Sequence, residues 1–305
     1  MDGLNARGKA YLVDASMYVF RAWYAYPADA FRDAEGHPAN ATHGFARFLL
    51  DFLRRVRPAR IMLGFDIALG SSFRNLLYPA YKANRAPAPP ELLRQFDACR
   101  AFAQALGLSV HAHASYEADD LIGSATVRAR ALDLDCVIVS ADKDFGQLLG
   151  THDEQWDWAR ETRWGPDGVH QRFGVWPRQI SDYLGLCGDA VDNIPGVPGI
   201  GARTAARLLA QFGDLDTLLA GNAELAASKT LRGAGLLAQR LREHADAARL
   251  CKRLATIACD APLPDDCLAR GRGDGVALDA LLLQNRFGPH TRSRALTLIE
   301  EPLPT

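Results

Sequence analysis

Three stretches share one pattern, an apolar and partly β-branched run closed by an aspartate: Ala10-Tyr-Leu-Val-Asp14, Arg60-Ile-Met-Leu-Gly-Phe-Asp66 and Cys136-Val-Ile-Val-Ser-Ala-Asp142. Runs of this kind predict buried strands of a parallel sheet. Between them the apolar positions recur at helical spacing. Phe45, Phe48, Leu49, Phe52 and Leu53 mark one face of a helix over His43 to Arg55, and a second helix is predicted over Leu92 to Leu106. Ser109 to His113 reads as a further, more weakly marked strand. The order is βαβα, so the fold class is α/β, a mostly parallel sheet flanked by helices. Ligands of such sheets bind beyond the carboxyl ends of the strands, where Asp14, Asp66 and Asp142 are expected to converge.

Prolines interrupt this pattern at Ala86-Pro-Ala-Pro-Pro90, which predicts a projecting arch over about 71–100. After Gly185 the pattern turns to helices separated by glycine-rich turns, with helices expected over Ala202 to Phe212 and Leu236 to Leu254. The expected organisation is therefore a core of residues 1–184 and a helical subdomain of 185–305. The tail after Pro262 shows one short helical pattern, Leu278 to Phe287, and no repeat of solenoid period appears.

Composition narrows the classes. With 48% hydrophobic and 23% charged residues in 305, the chain has ample material for a core. No apolar run approaches the roughly 20 residues of a membrane span, and Met1 to Lys9 carries no secretion signal, so a cytoplasmic address is expected. The six cysteines contain no C-x-x-C pair, which argues against zinc, and without secretion disulfides are not expected.

Acidic residues gather at element boundaries: Glu117, Asp119 and Asp120 at a predicted helix start, Asp142 and Asp144 after a strand, Asp189 and Asp192 in a turn. Each group alone reads as an ordinary acidic turn. Together with Asp14 and Asp66 they would have to arise independently, whereas carboxylates held close need a compensating cation. Oxygen ligands without a His or Cys pattern point to Mg²⁺, with Mn²⁺ able to substitute. Two such ions suit in-line attack on a phosphodiester. The net charge of −1 fits this reading, because setting aside these nine acids leaves 27 against 35 Lys and Arg. The remaining surface is basic, as phosphate binding requires.

Cations and aromatics mix at Phe73-Arg74, Tyr78 and Tyr81-Lys82-Ala-Asn-Arg85, a combination suited to phosphate contact and base stacking as well as to a solvated helix. Lys82 on a mobile segment is a candidate for stabilising charge on a scissile phosphate. The run Gly196-Val-Pro-Gly199-Ile200-Gly201, followed by Ala202-Arg203-Thr204, reads as a hairpin entering a helix whose first amides can bind phosphate, or as a plain interhelical turn.

These motifs together resemble the 5′-nuclease (flap endonuclease) family, nearest the 5′–3′ exonuclease domains of bacterial DNA polymerase I. The resemblance rests on Leu12-Val-Asp14, Phe73-Arg74, Tyr81 to Arg85, Glu117-Ala-Asp-Asp-Leu121, Ser140-Ala-Asp-Lys-Asp144, Gly188 to Gly201 and Lys229-Thr-Leu-Arg-Gly233, and runs from about Ala10 to Asp260. It implies a PIN-like sheet, a helical arch and a helix-hairpin-helix-like element gripping duplex DNA. It implies one metal site of Asp14, Asp66, Glu117, Asp119 and Asp120, and another of Asp142, Asp144, Asp189 and Asp192. Arg74, Tyr81, Lys82 and Arg85 would engage the 5′ strand, with Lys82, Arg85 and Asp142 acting at the reacting phosphate. Gly196, Gly199, Ile200, Gly201, Arg203 and Thr204 would contact DNA, with K⁺ at hairpin carbonyls 196–201. The expected activity is a structure-dependent, Mg²⁺-dependent 5′–3′ exonuclease and flap endonuclease in replication and repair, nucleoid-associated, monomeric and freestanding, served by a DNA polymerase or sliding clamp as partner. Pro38 to Gly44 departs from the family pattern, and local DNA contacts are not inferred there.

Two other readings share some of these features. A PIN-type ribonuclease would share the strand-end acids but normally lacks the hairpin and the second helical part. A DNA-binding protein that no longer cuts would be missing ligands in at least one set, and none is missing here.

Overall fold

The apolar runs closed by aspartate form strands because β-branched and aliphatic side chains fill both faces of a covered sheet. The computed structural model describes residues 8–67, 72–229, 231 and 233–302. In chain order the first elements are β1 (Lys9–Asp14), α1 (Ala15–Ala25), α2 (Asn40–Val56), β2 (Arg60–Asp66), α3 (Phe73–Leu77), α4 (Pro90–Ala105), β3 (Ser109–His113), α5 (Ala118–Ala131) and β4 (Asp135–Val139). A 3₁₀ turn over Lys143–Leu148 precedes β5 (Glu154–Asp157) and β6 (Thr162–Trp164). Helices α6 (Pro166–Phe173), α7 (Ile180–Cys187), α8 (Ala202–Phe212), α9 (Leu215–Ala220), α10 (Asn222–Ala227), α11 (Ala234–Glu243), α12 (Ala245–Ala255), α13 (Gly275–Gln284) and α14 (Pro289–Glu300) complete the chain.

Two compact units emerge, and they do not follow the single cut at 184/185 expected from the sequence. One comprises residues 1–68, 87–140 and 258–305, the other 69–86 and 141–257. The difference has two parts: residues 69–86 and 141–184 group with the helical unit, and the tail leaves it. Ile61 N donates to Leu268 O, Ala34 N to Gln284 O and Gly271 N to Gly107 O, so the last segment returns to the first unit.

In the first unit four parallel strands lie in the order β3-β2-β1-β4. Asp14 is in register with Gly64, and Asp66 with His113, so both aspartates stand at the carboxyl end of the sheet. Helix α2 covers the sheet with Phe45, Leu49, Phe52 and Leu53, all 1% exposed or less. Each such side chain contributes about 1.5–3 kcal/mol when buried. Gly64 lets α5 come close, since a Cβ there would lie 3.1 Å from Ala118 O.

The second unit holds the antiparallel pair β5–β6 and helices α3 and α6 to α12. Of the expected arch, residue 71 lies outside the described residues, residues 73–77 are α3, residues 79–84 are turns and residues 90–100 belong to α4. Within the family-like run Lys229 to Gly233, Thr230 and Arg232 lie outside the described residues. Among the described residues no helix is long and apolar enough to cross a membrane.

Candidate metal centre and nucleic-acid interface

In the first unit the acids are held by hydrogen bonds at strand ends and at a helix start. Asp14 caps α1, its Oδ1 accepting from Met17 N (3.1 Å), while Ser140 Oγ donates to Oδ2 (2.8 Å). Asp66 N donates to Ser16 Oγ (2.7 Å), and Asp66 Oδ1 accepts from Ala118 N (2.9 Å). This last bond ties the end of β2 to the start of α5, where Glu117 and Asp119 are partly exposed. Asp120 departs from its expected role. It is fully buried, with Oδ2 accepting from Glu117 N (3.0 Å) in a capping box and Oδ1 from Ala258 N (2.8 Å). Both oxygens are engaged by amides, so Asp120 holds the frame rather than an ion.

In the second unit Asp144, Asp189 and Asp192 each offer a carboxylate oxygen, and these atoms lie within 4.8 Å of one another. The side chains are 13%, 6% and 13% exposed. Two local devices bring them together. Exposed Asp142 caps the 3₁₀ turn by accepting from Asp144 N (3.0 Å), which sets Asp144 in its place. Asp189 and Ile194 exchange backbone bonds of 2.8 Å each, closing the loop that carries Asp192.

The electrostatics of this group favour a cation. Burial, together with the charges of Asp142, Asp189 and Asp192, pushes the Asp144 carboxyl up to about 7, against the pull of Lys143. Asp144 Oδ1 is buried without a hydrogen-bond partner. Three crowded carboxylates with an orphaned oxygen form an all-oxygen donor set, which fits a hard divalent cation. Lys143 Nζ lies 2.6 Å from Asp189 Oδ2 and 3.3 Å from Asp144 Oδ1. Burial opposes its charge, but Asp144 and Asp189 outweigh burial and hold its pKa above the usual lysine range. The sequence reading gives Lys143 no role; the acid-base-acid alternation of Asp142-Lys143-Asp144 is the signal that points to it.

Residues 78–85 dock on the loop that bears Asp189 and Asp192. Lys82 N donates to Asp192 O (3.0 Å), Asn84 Nδ2 to Ala190 O (2.9 Å) and Asn193 Nδ2 to Ala80 O (2.6 Å). Arg85 Nη2 meets Asp192 Oδ1 at 2.5 Å, and Lys82 Nζ is 3.8 Å from Asp192 Oδ2. Two expected DNA contacts are corrected here. Arg74 is 2% exposed, and its guanidinium donates to Leu254 O and Thr256 O at 2.8 Å each, so it tethers α3 instead of meeting a phosphate. The Tyr81 ring is 3% exposed and offers no face to a base; its hydroxyl donates to Asp192 Oδ2 (3.2 Å).

The glycine run forms a tight connection between α7 and α8. Gly196 has φ +67°, and a Cβ there would lie 2.4 Å from Gly188 N, so backbone passes directly against backbone. Val197 N donates to Leu186 O (2.8 Å), and buried Ile194, Val197 and Ile200 pin the loop down. With its side chain buried, Ile200 can meet DNA only through its backbone. Gly199 has φ +75°, and Arg203 is exposed with Thr204 half-buried. Helix α8 is preceded at its N-cap by Gly201, which supplies no side-chain cap and leaves the first turn suited to an anion.

Comparison with known proteins gives concordant matches. The family described as 5′-3′ exonuclease, N-terminal resolvase-like domain, matches residues 9–174, and 5′-3′ exonuclease, C-terminal SAM fold, matches residues 175–271. A DNA polymerase I from Rhizobium leguminosarum is 37% identical over 286 residues, covering 92% of this chain and 26% of that protein. The chain thus spans about a quarter of that relative's length. A T5 5′-exonuclease structure with bound zinc ions aligns with TM-score 0.67 at 16% identity, covering 96% of this chain and 98% of that one. The catalytic core of Rad2 in complex with DNA substrate aligns with TM-score 0.61 at 14% identity, covering 96% and 93%. At these identities the structural likenesses establish the fold, a PIN-like resolvase domain with a C-terminal SAM-like helical domain.

Proposed function

The chain belongs to the 5′–3′ exonuclease family, and from that premise we propose that it is a structure-dependent 5′–3′ exonuclease and 5′-flap endonuclease acting on DNA in replication and repair. The observation that carries this reading is the group of three carboxylate oxygens within 4.8 Å, contributed by Asp144, Asp189 and Asp192, with Lys82 and Arg85 paired to Asp192 from the neighbouring segment.

Asp144, Asp189 and Asp192, with Asp142 beside them, would hold one Mg²⁺ or Mn²⁺; Asp14, Asp66, Glu117 and Asp119 would serve another. Asp120 is left out of the second set because its oxygens are committed to amides. Bound divalent ions supply Lewis acidity, acidifying water and offsetting charge at the phosphodiester. The residues do the rest. Asp144 must give up its proton before it can act as a ligand, which burial resists. Lys82 and Arg85, on leaving Asp192, can offset the charge that builds on the scissile phosphate. The first turn of α8 binds a backbone phosphate without reading bases, which suits duplex grip. Cutting would leave a 5′-phosphate.

The same reading extends to K⁺ at hairpin carbonyls 196–201, to a monomer in the cytoplasm at the nucleoid, and to a DNA polymerase or sliding clamp as partner; these rest on family membership alone. Purified protein should cut a 5′-flap and a nicked duplex with Mg²⁺, fail in EDTA, and lose cutting in Asp144→Asn and Asp189→Asn. Better cleavage of single-stranded RNA would favour a PIN-type ribonuclease. Tight flap binding without cutting would favour a pure binder.

A further inference from the structure

Lys143 contributes an ammonium to the very carboxylates that would receive a divalent cation, at 2.6 Å from Asp189 Oδ2 and 3.3 Å from Asp144 Oδ1. The geometry points to Lys143 as a built-in counter-ion that sets how tightly the Asp144, Asp189 and Asp192 group takes a divalent cation, an inference that rests on the metal reading above.

A doubly charged ion seated on those oxygens cannot share them with an ammonium, because like charges at such separations repel strongly outside bulk water. One partner must yield. The Asp189 side chain is 6% exposed and its Oδ1 is held by Val191 N (2.9 Å), so it stays where it is. The Lys143 side chain is 32% exposed and carries a flexible four-carbon stem, so it can swing to solvent. Entry of the cation therefore breaks a charge-assisted hydrogen bond, and that loss is subtracted from its affinity.

The fit of the ammonium is also incomplete. Asp144 Oδ1 remains without a hydrogen bond although Lys143 Nζ stands 3.3 Å away. The lysine thus offsets repulsion among the acids while leaving a donor that a cation can use better. Without an ion the group keeps its form. With one, occupancy depends on displacing an internal competitor, which makes binding weaker than the carboxylate count implies.

Calorimetric titration of Mn²⁺ into the full chain without DNA tests this, for the wild type, Lys143→Met, Lys143→Arg and Asp189→Asn, alongside thermal unfolding in EDTA. Lys143→Met is expected to bind Mn²⁺ about tenfold tighter, equivalent to about 1.4 kcal/mol. It should unfold at a lower temperature in EDTA and recover when Mn²⁺ saturates. Lys143→Arg, which keeps the charge, should bind as weakly as the wild type. Lys143→Gln replaces the methionine variant if that one does not fold. Unchanged or weaker Mn²⁺ binding in the neutral variant overturns the counter-ion role. A wild type that takes up no Mn²⁺, or an Asp189→Asn variant with an unaltered titration, is a different outcome: the metal reading itself falls and takes the counter-ion role with it.

Discussion

Arg85 and Asp192 are joined by a 2.5 Å contact between Nη2 and Oδ1, and Lys82 reaches the other oxygen of that carboxylate at 3.8 Å. An ion pair this close to the surface adds little to stability. Its value lies in stationing two cations where phosphate is expected. Arg85→Ala and Lys82→Ala should each lower flap cleavage at saturating DNA by about 10²–10³-fold, the usual scale for a lost charge-stabilising donor, with nearly unchanged unfolding temperatures. Single-turnover rates that match the wild type would remove both from the chemistry.

Asp120 makes the opposite prediction. Asp120→Ala strips partners from the buried amides of Glu117 and Ala258 and should cost about 2–4 kcal/mol of stability, while the folded fraction still binds Mn²⁺. Urea unfolding and metal titration measure the two halves. Lost metal binding at full stability would return Asp120 to the ligand set.

His43 supplies a pH dependence. It lies between Phe31 and Phe287, with ring centroids 4.3 and 4.0 Å away, and its Nε2 is 2.7 Å from Asn285 O. Burial lowers its pKa below 6.5, against the pull of the Asn285 carbonyl. The unfolded chain therefore takes the proton more readily than the folded one. The stability from a neutral His43 is complete above 6.5 and is lost as the pH falls through that value toward the folded-state pKa. His43→Phe keeps an aromatic ring in the stack without a titrating proton. Its unfolding midpoint should fall less steeply between pH 7 and 5; a slope equal to the wild type's would refute the assignment.

Gly196→Ala should lower stability by about 2–4 kcal/mol, because backbone occupies the space its Cβ needs and its φ is +67°. Gly201→Ala is the matched control, with nothing within 4 Å of the added carbon. Equal melting temperatures for the two variants would contradict the close backbone approach.

What could be read from the sequence was what a local pattern encodes. A strand-end aspartate follows an apolar run, and the start of α5 follows from acids ahead of a helical stretch, so the positions of Asp14, Asp66 and Glu117 in their elements are legible without knowledge of the distant groups they bond. Decisions that depended on remote atoms were hidden. Asp120 is committed by Ala258, 138 residues away, and Arg74 by Leu254, 180 residues away. The tail's return to the first sheet has the same cause, since Ile61 meets Leu268 across the chain. Strands β5 and β6, four and three residues long, carry too little apolar periodicity to announce themselves.

The hydrogen bonds of Asn84, Asn193 and the Lys82 amide weld residues 80–85 to the turn at 189–193. Two stretches more than a hundred residues apart in the chain thereby behave as one machined part. Lengthening either by a single residue would throw the pair out of alignment together. Protein engineers seeking a place to graft a tag or a sensor into this chain should read that joint as a seam to leave uncut.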